Sequence, residues 1–516
     1  MTNCWTRVRT LQIALFIAVF MALIALLPAA GATKAAPKKA EVPAAVLPLT
    51  TSSPEARALV EKALAIYLDQ VEQTEAIEML RKAVKLDPAF AMGHELLAQI
   101  SLDSAEQVTE QAQAFKYRDG ASVPERLAIE WYQDAFDHKL LSSITKMNDL
   151  LSQLPHDKTV VWMTTWWLMT QQQYDRSIAI YERSGIKDSP GLLNNMAYNY
   201  AYVRRFDKAF ELMDQYVATL PHDPNPQDSY AEILRLAGRF DASIEHYRAS
   251  LTIDPEFYSS QFGLADTYSL KGEQVRARRE YEAGFRRFPV PEQQRVLWRT
   301  REAATFIREG DFEWADRAFQ AIADDAHAHH TSLAEADTYR QMAMYQEDSS
   351  RALELLSRAD AAAAAGENAN HTAIQQVTAQ ILRARVEVAV KMGNANIANS
   401  SLEALTKMSE DANDKIIDLA YHGAFGALLV SQQKYSEAIP HLEEDATNPL
   451  SLKLLAIAYG KTGDNTAAER TLDLLSNLND PTLEQALVVP AVRQCAQDPA
   501  CGSRVNNASI KVPHTL

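Results

Sequence analysis

AEILRLAGRFDASIEHYRASLTIDP, residues 231–255, is followed by a stretch of the same design at residues 265–289. Matching positions carry small residues, tyrosines and prolines at a spacing of 34 residues: Ala231 and Ala265, Ser243 and Ala277, Tyr247 and Tyr281, Pro255 and Pro289. A fixed period of about this length is the sequence signature of stacked helical hairpins. Small residues let two helices approach closely, and rings fill the space between neighbouring hairpins. The sequence therefore predicts an all-α array.

The same pattern extends in both directions and predicts the organisation of the chain. We expect a regular array over residues 54–290, with Ser53 as the cap of its first helix. Residues 102–124 fit the period poorly, and their Asp-Gly and Val-Pro pairs predict an irregular helix and a crossover. Residues 291–480 keep a weaker form of the pattern, which brings the array to roughly a dozen hairpins. Residues 481–516 are predicted to hold a helix that caps the stack, and a tail.

The N-terminus carries the features of an export signal. Two arginines precede an uncharged apolar run at residues 13–27, and an Ala-Gly-Ala cleavage site follows it. This order predicts a secretory signal peptide at residues 1–32, followed by an Ala- and Pro-rich linker at residues 33–53. We therefore expect an exported protein, periplasmic or secreted. The alternative is that the apolar run stays in the bilayer as an anchor, although a membrane span needs roughly 20 apolar residues.

The net charge argues against one class of partner, and the number of cysteines predicts one covalent link. The 516 residues carry a formal charge of −16, which disfavours nucleic acid as a partner because phosphates need a basic surface. Cys4 leaves with the predicted signal, so Cys495 and Cys501 remain. An even number of cysteines in an exported chain predicts a disulfide between these two, and the Asp-Pro pair that separates them suits a tight turn.

The repeated stretches resemble the tetratricopeptide repeat, most closely from Pro190 to Pro289. The quoted stretch looks like the second half of one such repeat, and the chain as a whole is similar to exported bacterial tetratricopeptide proteins. The resemblance implies a right-handed superhelical solenoid whose first helices line a concave groove, in which a protein or peptide segment is held. One branch of the family clamps carboxylates there with Lys, Arg and Asn. The basic residues of that set are missing from the matching helix faces, so the resemblance does not extend to carboxylate binding.

Aromatic side chains are the candidate ligand-binding residues of this groove. Trp162 and Trp166 lie four residues apart on one predicted helix, and Tyr198 and Tyr202 have the same relation on the next. The family's geometry implies that both pairs lie on the concave side, together with four further candidates: Asn194, Asp228, Glu232 and Phe262. An aromatic strip bordered by carboxylates suits an extended segment with apolar and basic side chains. The alternative is that some of these rings pack between hairpins as core.

The sequence shows no catalytic motif. H-E-x-x-H, G-x-S-x-G and a glycine-rich phosphate loop are all missing from it. The aspartates and histidines of residues 324–330 are metal-ligand types, but their position predicts a solvated connector between hairpins. We therefore expect a protein-binding scaffold or adaptor rather than an enzyme, with no metal and no cofactor. The alternatives are a membrane-tethered envelope assembly factor and a hydrolase with a site in the groove.

Overall fold

The computed structural model describes residues 46–70, 73–137, 139–290, 292–366, 369, 371–412 and 414–497. They fall in the unit Ala44–Leu516. Within these ranges the regular structure is helical, without β-strands, which confirms the predicted all-α class. The predicted signal peptide, and the linker up to residue 45, lie outside the described residues.

The helices follow one another with short turns between them: α1 (Pro54–Ala65), α2 (Gln73–Leu86), α3 (Ala91–Ile100), α4 (Ser104–Tyr117), α5 (Val123–Phe136), α6 (Leu140–Gln153), α7 (Lys158–Thr170), α8 (Tyr174–Ser184), α9 (Pro190–Tyr202), α10 (Phe206–Thr219), α11 (Pro224–Leu236), α12 (Phe240–Ile253), α13 (Tyr258–Lys271), α14 (Gln274–Arg287), α15 (Glu292–Glu309), α16 (Phe312–Ala328), α17 (Ser332–Met344), α18 (Ser349–Ala365), α19 (His371–Met392), α20 (Ala395–Ala412), α21 (Lys415–Ser431), α22 (Tyr435–Glu444), α23 (Pro449–Thr462), α24 (Asn465–Ser476) and α25 (Leu483–Gln497). A π-helical turn, Ile66–Gln70, extends α1, and a 3₁₀ turn, Arg118–Gly120, follows α4.

Helices begin where the sequence supplies a capping side chain. Ser53 caps α1, as predicted, because its hydroxyl accepts a hydrogen bond from the Ala56 amide at 3.1 Å. Asp223 caps α11 in the same way, accepting from the Asn225 amide at 2.8 Å. Both helices start with a proline, which has no N–H to leave unsatisfied in the first turn.

Small residues and rings pack the hairpins as the repeat predicts. Ala231, Ala265 and Ala277 are fully buried where neighbouring helices meet. Gly263 shows how close the approach is, because a Cβ added there would lie 2.3 Å from Cζ of Tyr247. The helix α13 can therefore lie against the Tyr247 ring only because this position has no side chain.

Residues 102–124 are more regular than predicted. They hold the whole of α4, whose first amides are capped by the Asp103 carboxylate at 2.8 Å from the Ala105 amide and 3.1 Å from the Glu106 amide. Only the 3₁₀ turn Arg118–Gly120 interrupts the helices here. Polar residues make up most of α4, so its hydrophobic period is weak in the sequence.

Residues 324–328 are helical rather than part of a connector. They form the last turn of α16, which ends at Ala328. Ala323 and Ala326 are fully buried against the core, so the alanines that suggested a loop are the packed face of a helix. The turn starts only at His329.

The predicted terminal helix is present as α25, and it packs against α15 as well as against α23 and α24. Arg340 of α17 lies 3.4 Å from the Glu484 carboxylate of α25. Arg493 donates from Nη2 to the Asn479 side-chain oxygen at 2.5 Å and from Nε to the Ser476 carbonyl at 2.8 Å. The last helix thus ties the end of the array to its middle, instead of only covering the final hairpin.

We predict that Ala277→Leu destabilises the array by about 1–3 kcal/mol, because the larger side chain overpacks a closed helix contact. Chemical unfolding followed by circular dichroism measures the change. Ala361→Leu is the matched control, since Ala361 is an exposed alanine on α18 and should tolerate the same enlargement. Equal stabilities of the two variants would contradict the packing of α13 and α14 described here.

Candidate functional site

Of the two predicted tryptophans, Trp162 belongs to the core and Trp166 to the surface. The Trp162 side chain is 4% exposed and packs edge-on against Tyr67, with ring centroids 5.0 Å apart. Trp166 stacks on Trp162 at 6.4 Å and remains 39% exposed. Of the two rings, Trp166 is therefore the one that offers surface to another molecule.

The tyrosine pair lies on α9 next to a third ring. Tyr202 is 41% exposed, and Tyr174 of α8 stacks on it with centroids 5.0 Å apart. Tyr198 sits one turn earlier, 6.4 Å from the Tyr202 ring, and donates its hydroxyl proton to Oε2 of Glu232 at 2.7 Å. Trp166 and Tyr202 are thus the predicted rings with the most accessible faces.

Charged side chains from three further helices form a network behind these rings. Arg235 is buried and donates to Oε1 of Glu232 at 2.7 Å, while its Nη1 lies 3.5 Å from Oδ2 of Asp266. Arg301 of α15 lies 2.5 Å from the same oxygen of Asp266, and Tyr281 donates to the other. Buried charges of opposite sign stabilise each other only when they are paired and hydrogen-bonded, and this network meets that condition in part, since Nε and Nη1 of Arg235 have no hydrogen-bond partner.

The remaining candidates are buried to different degrees. Phe262 is a core residue, fully buried and stacked face to face on Trp298 at 4.0 Å. Asn194 is partly buried on α9. Asp228 accepts a hydrogen bond from the Ser260 hydroxyl at 2.6 Å, and burial raises the pKa of its carboxyl to about 7. Asp228 and Phe262 therefore serve packing and the internal polar network in this structure.

A loop from the end of the chain reaches these N-terminal helices. Arg204 donates from Nη1 to the Asn477 carbonyl at 3.4 Å, and Asn479 donates from Nδ2 to the Leu236 carbonyl at 3.2 Å. Asp480 follows directly in this loop. Its side chain is exposed to solvent at the cavity, but the protein atoms around it partly desolvate the carboxyl and raise its pKa. Arg301 acts on that pKa in the opposite direction.

Four non-glycine residues in the described part of the chain have a left-handed backbone, and two of them, Gln172 and Arg204, lie in turns that line the cavity. The equivalent turns after α11 and α13 place Gly238 and Gly272 at positive φ, whereas Gln172 has φ 55° and Arg204 has φ 61°. A side chain in this region costs roughly 1–2 kcal/mol. Both residues reach across to the C-terminal part of the chain, since Gln172 accepts at 3.5 Å from the Thr447 hydroxyl.

A cavity of about 640 Å³ opens beside Tyr202. One wall comes from α8, α9, α10 and the end of α11, and the other from α17, α19, α21 and residues 443–449 and 474–485. A volume of this size suits a small ligand or a short peptide segment. Because both walls contribute, the cavity exists only while the N-terminal and C-terminal parts of the array remain in contact.

One of the predicted site residues, Tyr202, lines this cavity; the others do not: Trp162, Trp166, Asn194, Tyr198, Asp228, Glu232 and Phe262. Tyr198 and Glu232 are 34 residues apart, and Asp266 and Arg301 are 35 apart. Both pairs are contacts between equivalent positions of neighbouring hairpins, so the repeat period contained a signal for them. Asp480 does not occupy a position equivalent by the repeat period to any residue of the N-terminal helices. Only the structure therefore shows that it lies near them.

Among the described residues, no group of three or more His, Cys, Asp or Glu side chains is placed to hold a metal ion. Cys495 lies in α25, whereas Cys501 lies outside the described residues. The Cys495–Cys501 disulfide therefore stays a prediction.

The chain carries a tetratricopeptide repeat, since residues 56–90 match the profile of that repeat. The chain is also similar to yeast Tom70, with 13% identity over 87% of this chain and 99% of that one at a TM-score of 0.39. A tetratricopeptide repeat protein from Parabacteroides merdae is 13% identical and covers 55% of this chain and 98% of its own, at a TM-score of 0.33. The APC/C hetero-tetramer Cut9-Hcn1 is 14% identical, and the match covers 81% of this chain and 76% of that one at a TM-score of 0.37. No curated protein sequence matches the chain significantly.

We predict that Arg204→Gly loosens the contact between the two walls. Glycine relieves the left-handed backbone, but the variant loses the bond to the Asn477 carbonyl, so hydrogen exchange of the amides at residues 477–485 should rise. Gln433→Gly is the control, because Gln433 has φ 60° in an exposed turn of the C-terminal array. That variant should gain stability without faster exchange at 477–485. Unchanged exchange in Arg204→Gly would show that Arg204 does not hold the loop.

Proposed function

We propose that this tetratricopeptide-repeat chain is a scaffold or adaptor that holds a segment of another protein in the cavity beside Tyr202 and along the Trp166 ring. The observation that supports it most strongly is that α8, α9, α17, α19, α21 and the loop before α25 all line one cavity. Stacked helical hairpins build extended concave surfaces, and such surfaces commonly hold other polypeptides.

The chemistry of the site fits the capture of a segment. Interfaces derive most of their affinity from a few tryptophan, tyrosine and arginine side chains that close around a partner. Trp166 and Tyr202 supply accessible rings, and each is held in place by a stacked neighbour, Trp162 or Tyr174. Rings fixed in advance lose little conformational entropy when a partner binds. Main-chain contacts and rim charges add specificity.

We further propose that the scaffold works outside the cytoplasm of a bacterium, after removal of residues 1–32. The basic start, short apolar run and Ala-Gly-Ala site support this proposal. The rival proposal, a membrane-tethered assembly factor, keeps residues 13–27 in the bilayer. No helix among the described residues has both the length and the apolar character needed to cross a membrane.

We predict that a photoreactive amino acid placed at Tyr202 forms adducts with one defined segment of a partner in envelope extract. Mass spectrometry of the adduct identifies the segment, and Trp166→Ala should reduce the yield severalfold while leaving helical content unchanged. The same photoreactive residue at Trp314, which is 52% exposed on α16, is the matched control. Equal adduct yields at positions 202 and 314 would argue against a partner in this cavity. So would a yield at position 202 that stays the same in the Trp166→Ala variant.

We also predict that the mature protein begins at Thr33. Intact-mass and N-terminal peptide spectra of protein purified from the envelope fraction measure this directly. A chain that retains Met1 would support the tethered alternative instead, without affecting the proposal for the cavity.

A further inference from the structure

The charged side chains that line the cavity are unevenly divided between acids and bases. They are Arg204, Arg340, Arg383, Glu443, Glu444, Asp445, Asp480 and Glu484. Carboxylates outnumber guanidinium groups. The charge that the cavity presents to a ligand depends on which of these groups already form ion pairs with one another.

The Arg383 guanidinium is fully engaged within the C-terminal wall. It lies 2.9 Å from Asp445 and 3.0 Å from Glu387, and it donates to the Ser451 hydroxyl at 3.0 Å. All three side chains of the ion-pair cluster are buried. Gly423 completes the site, since a Cβ there would lie 2.6 Å from the Arg383 guanidinium. This arginine is a buried structural group that is paired with two carboxylates of its own wall.

The two other arginines of the lining are engaged as well. Arg340 lies 2.6 Å from Asp337 and 3.4 Å from Glu484. Arg204 donates to the carbonyl of Asn477 in the loop. Arg340 is thus paired with carboxylates, whereas Arg204 is exposed and has no carboxylate within ion-pair distance among the described residues.

The acids are less completely matched. Among the described residues, no Lys or Arg lies within ion-pair distance of the Asp480 carboxylate, and Arg301 and Arg235 influence it only from farther away. Those two arginines are bonded to Asp266, at 2.5 Å and 3.5 Å. Glu443 is exposed at the opposite wall, where it accepts a hydrogen bond from the Tyr459 hydroxyl. The cavity therefore keeps an excess of negative charge at Asp480 and Glu443.

Aromatic rings line the same cavity as the Asp480 carboxylate. Tyr174 and Tyr202 line the same cavity, and both lie close enough to Asp480 for its charge to add to the effect of burial in raising the pKa of their hydroxyls. The face of an exposed aromatic ring attracts a cation, and a carboxylate attracts it further. A lysine or arginine side chain satisfies both groups at once, with its aliphatic stem along the rings.

We propose that the occupant of this cavity is a cationic protein segment, which places a lysine or arginine side chain between the Tyr202 ring and the Asp480 carboxylate. This inference rests on the proposed function and names the chemistry of the partner. A second basic side chain of the same segment meets Glu443 across the cavity. Acidic segments are excluded by the same two carboxylates, because like charges in a confined site repel.

Binding of short labelled peptides by the full-length chain tests the inference. The probes are fluorescein-labelled GLKLKLG and the matched peptides in which glutamate or glutamine replaces lysine, measured by fluorescence anisotropy. We expect the lysine peptide to bind most tightly and to weaken at high ionic strength. Asp480→Asn and Glu443→Gln should each weaken it by about fivefold, the equivalent of one cation–carboxylate contact.

Two controls separate charge recognition from unfolding and from non-specific attraction. Glu443→Gln changes an exposed residue and keeps the fold even if Asp480→Asn destabilises the loop. Glu61→Gln makes the same change of charge at an exposed position on α1, outside the cavity lining, and should leave the affinity unchanged. Equal losses in Glu61→Gln and Glu443→Gln would overturn the inference, because the attraction would then come from the net charge of the chain.

The peptide series also distinguishes this inference from the proposed function. If the glutamate or glutamine peptide binds as tightly as the lysine peptide and Tyr202→Ala abolishes that binding, the cationic preference is wrong while the capture of segments stands. If none of the peptides binds, the cationic preference is overturned, and the adducts at position 202 decide the proposed function independently.

Discussion

The close approach of neighbouring helices through small side chains is the constraint on which the rest of the structure depends. Gly263 lies against the Tyr247 ring with no room for a Cβ, and Ala231, Ala265 and Ala277 are buried at similar contacts. A hairpin cannot bury its apolar face alone, so each of these contacts fixes the position of the next hairpin. The orientation of Tyr198 toward Glu232, or of Arg301 toward Asp266, is a consequence of that stacking.

The cavity adds a second constraint, because its walls come from distant parts of the chain. The contacts across it are polar and few, and one of them places Arg204 in a left-handed conformation that a non-glycine residue rarely adopts. Polar contacts of this kind each contribute about 1 kcal/mol. The hairpin cores are thus held by apolar packing, whereas the relation between the two walls depends on individual hydrogen bonds and on the helix α25.

The fold could be predicted from the sequence because the features that specify it act between residues that are close along the chain. The period of 34 residues, the cap at Ser53 and the buried alanines each act over a few turns of helix. The regularity of α4 was missed because polar residues hide its periodicity, so the sequence predicted only an irregular helix there. The alanine before His327 was assigned to a loop although it faces the core. Of the candidate ligand-binding residues, Tyr202 on α9 lies at the cavity, and its role in binding stays a prediction. Asp480 and Arg340 could not be placed, since nothing in a repeat period relates the end of the chain to its middle.

Buried arginines of the cavity lining are ion-paired, whereas some of its carboxylates are not. The cost of desolvation explains this difference. A buried guanidinium left without a partner costs several kcal/mol, so Arg383 and Arg340 are fully engaged in the folded chain. A carboxylate that faces a solvent-filled cavity keeps part of its hydration and can remain without a cation. Asp480 is such a group, and partial burial already raises its pKa. An arriving cation replaces water that solvates Asp480 poorly, so the energetic gain from pairing is larger here than for an acid on the outer surface.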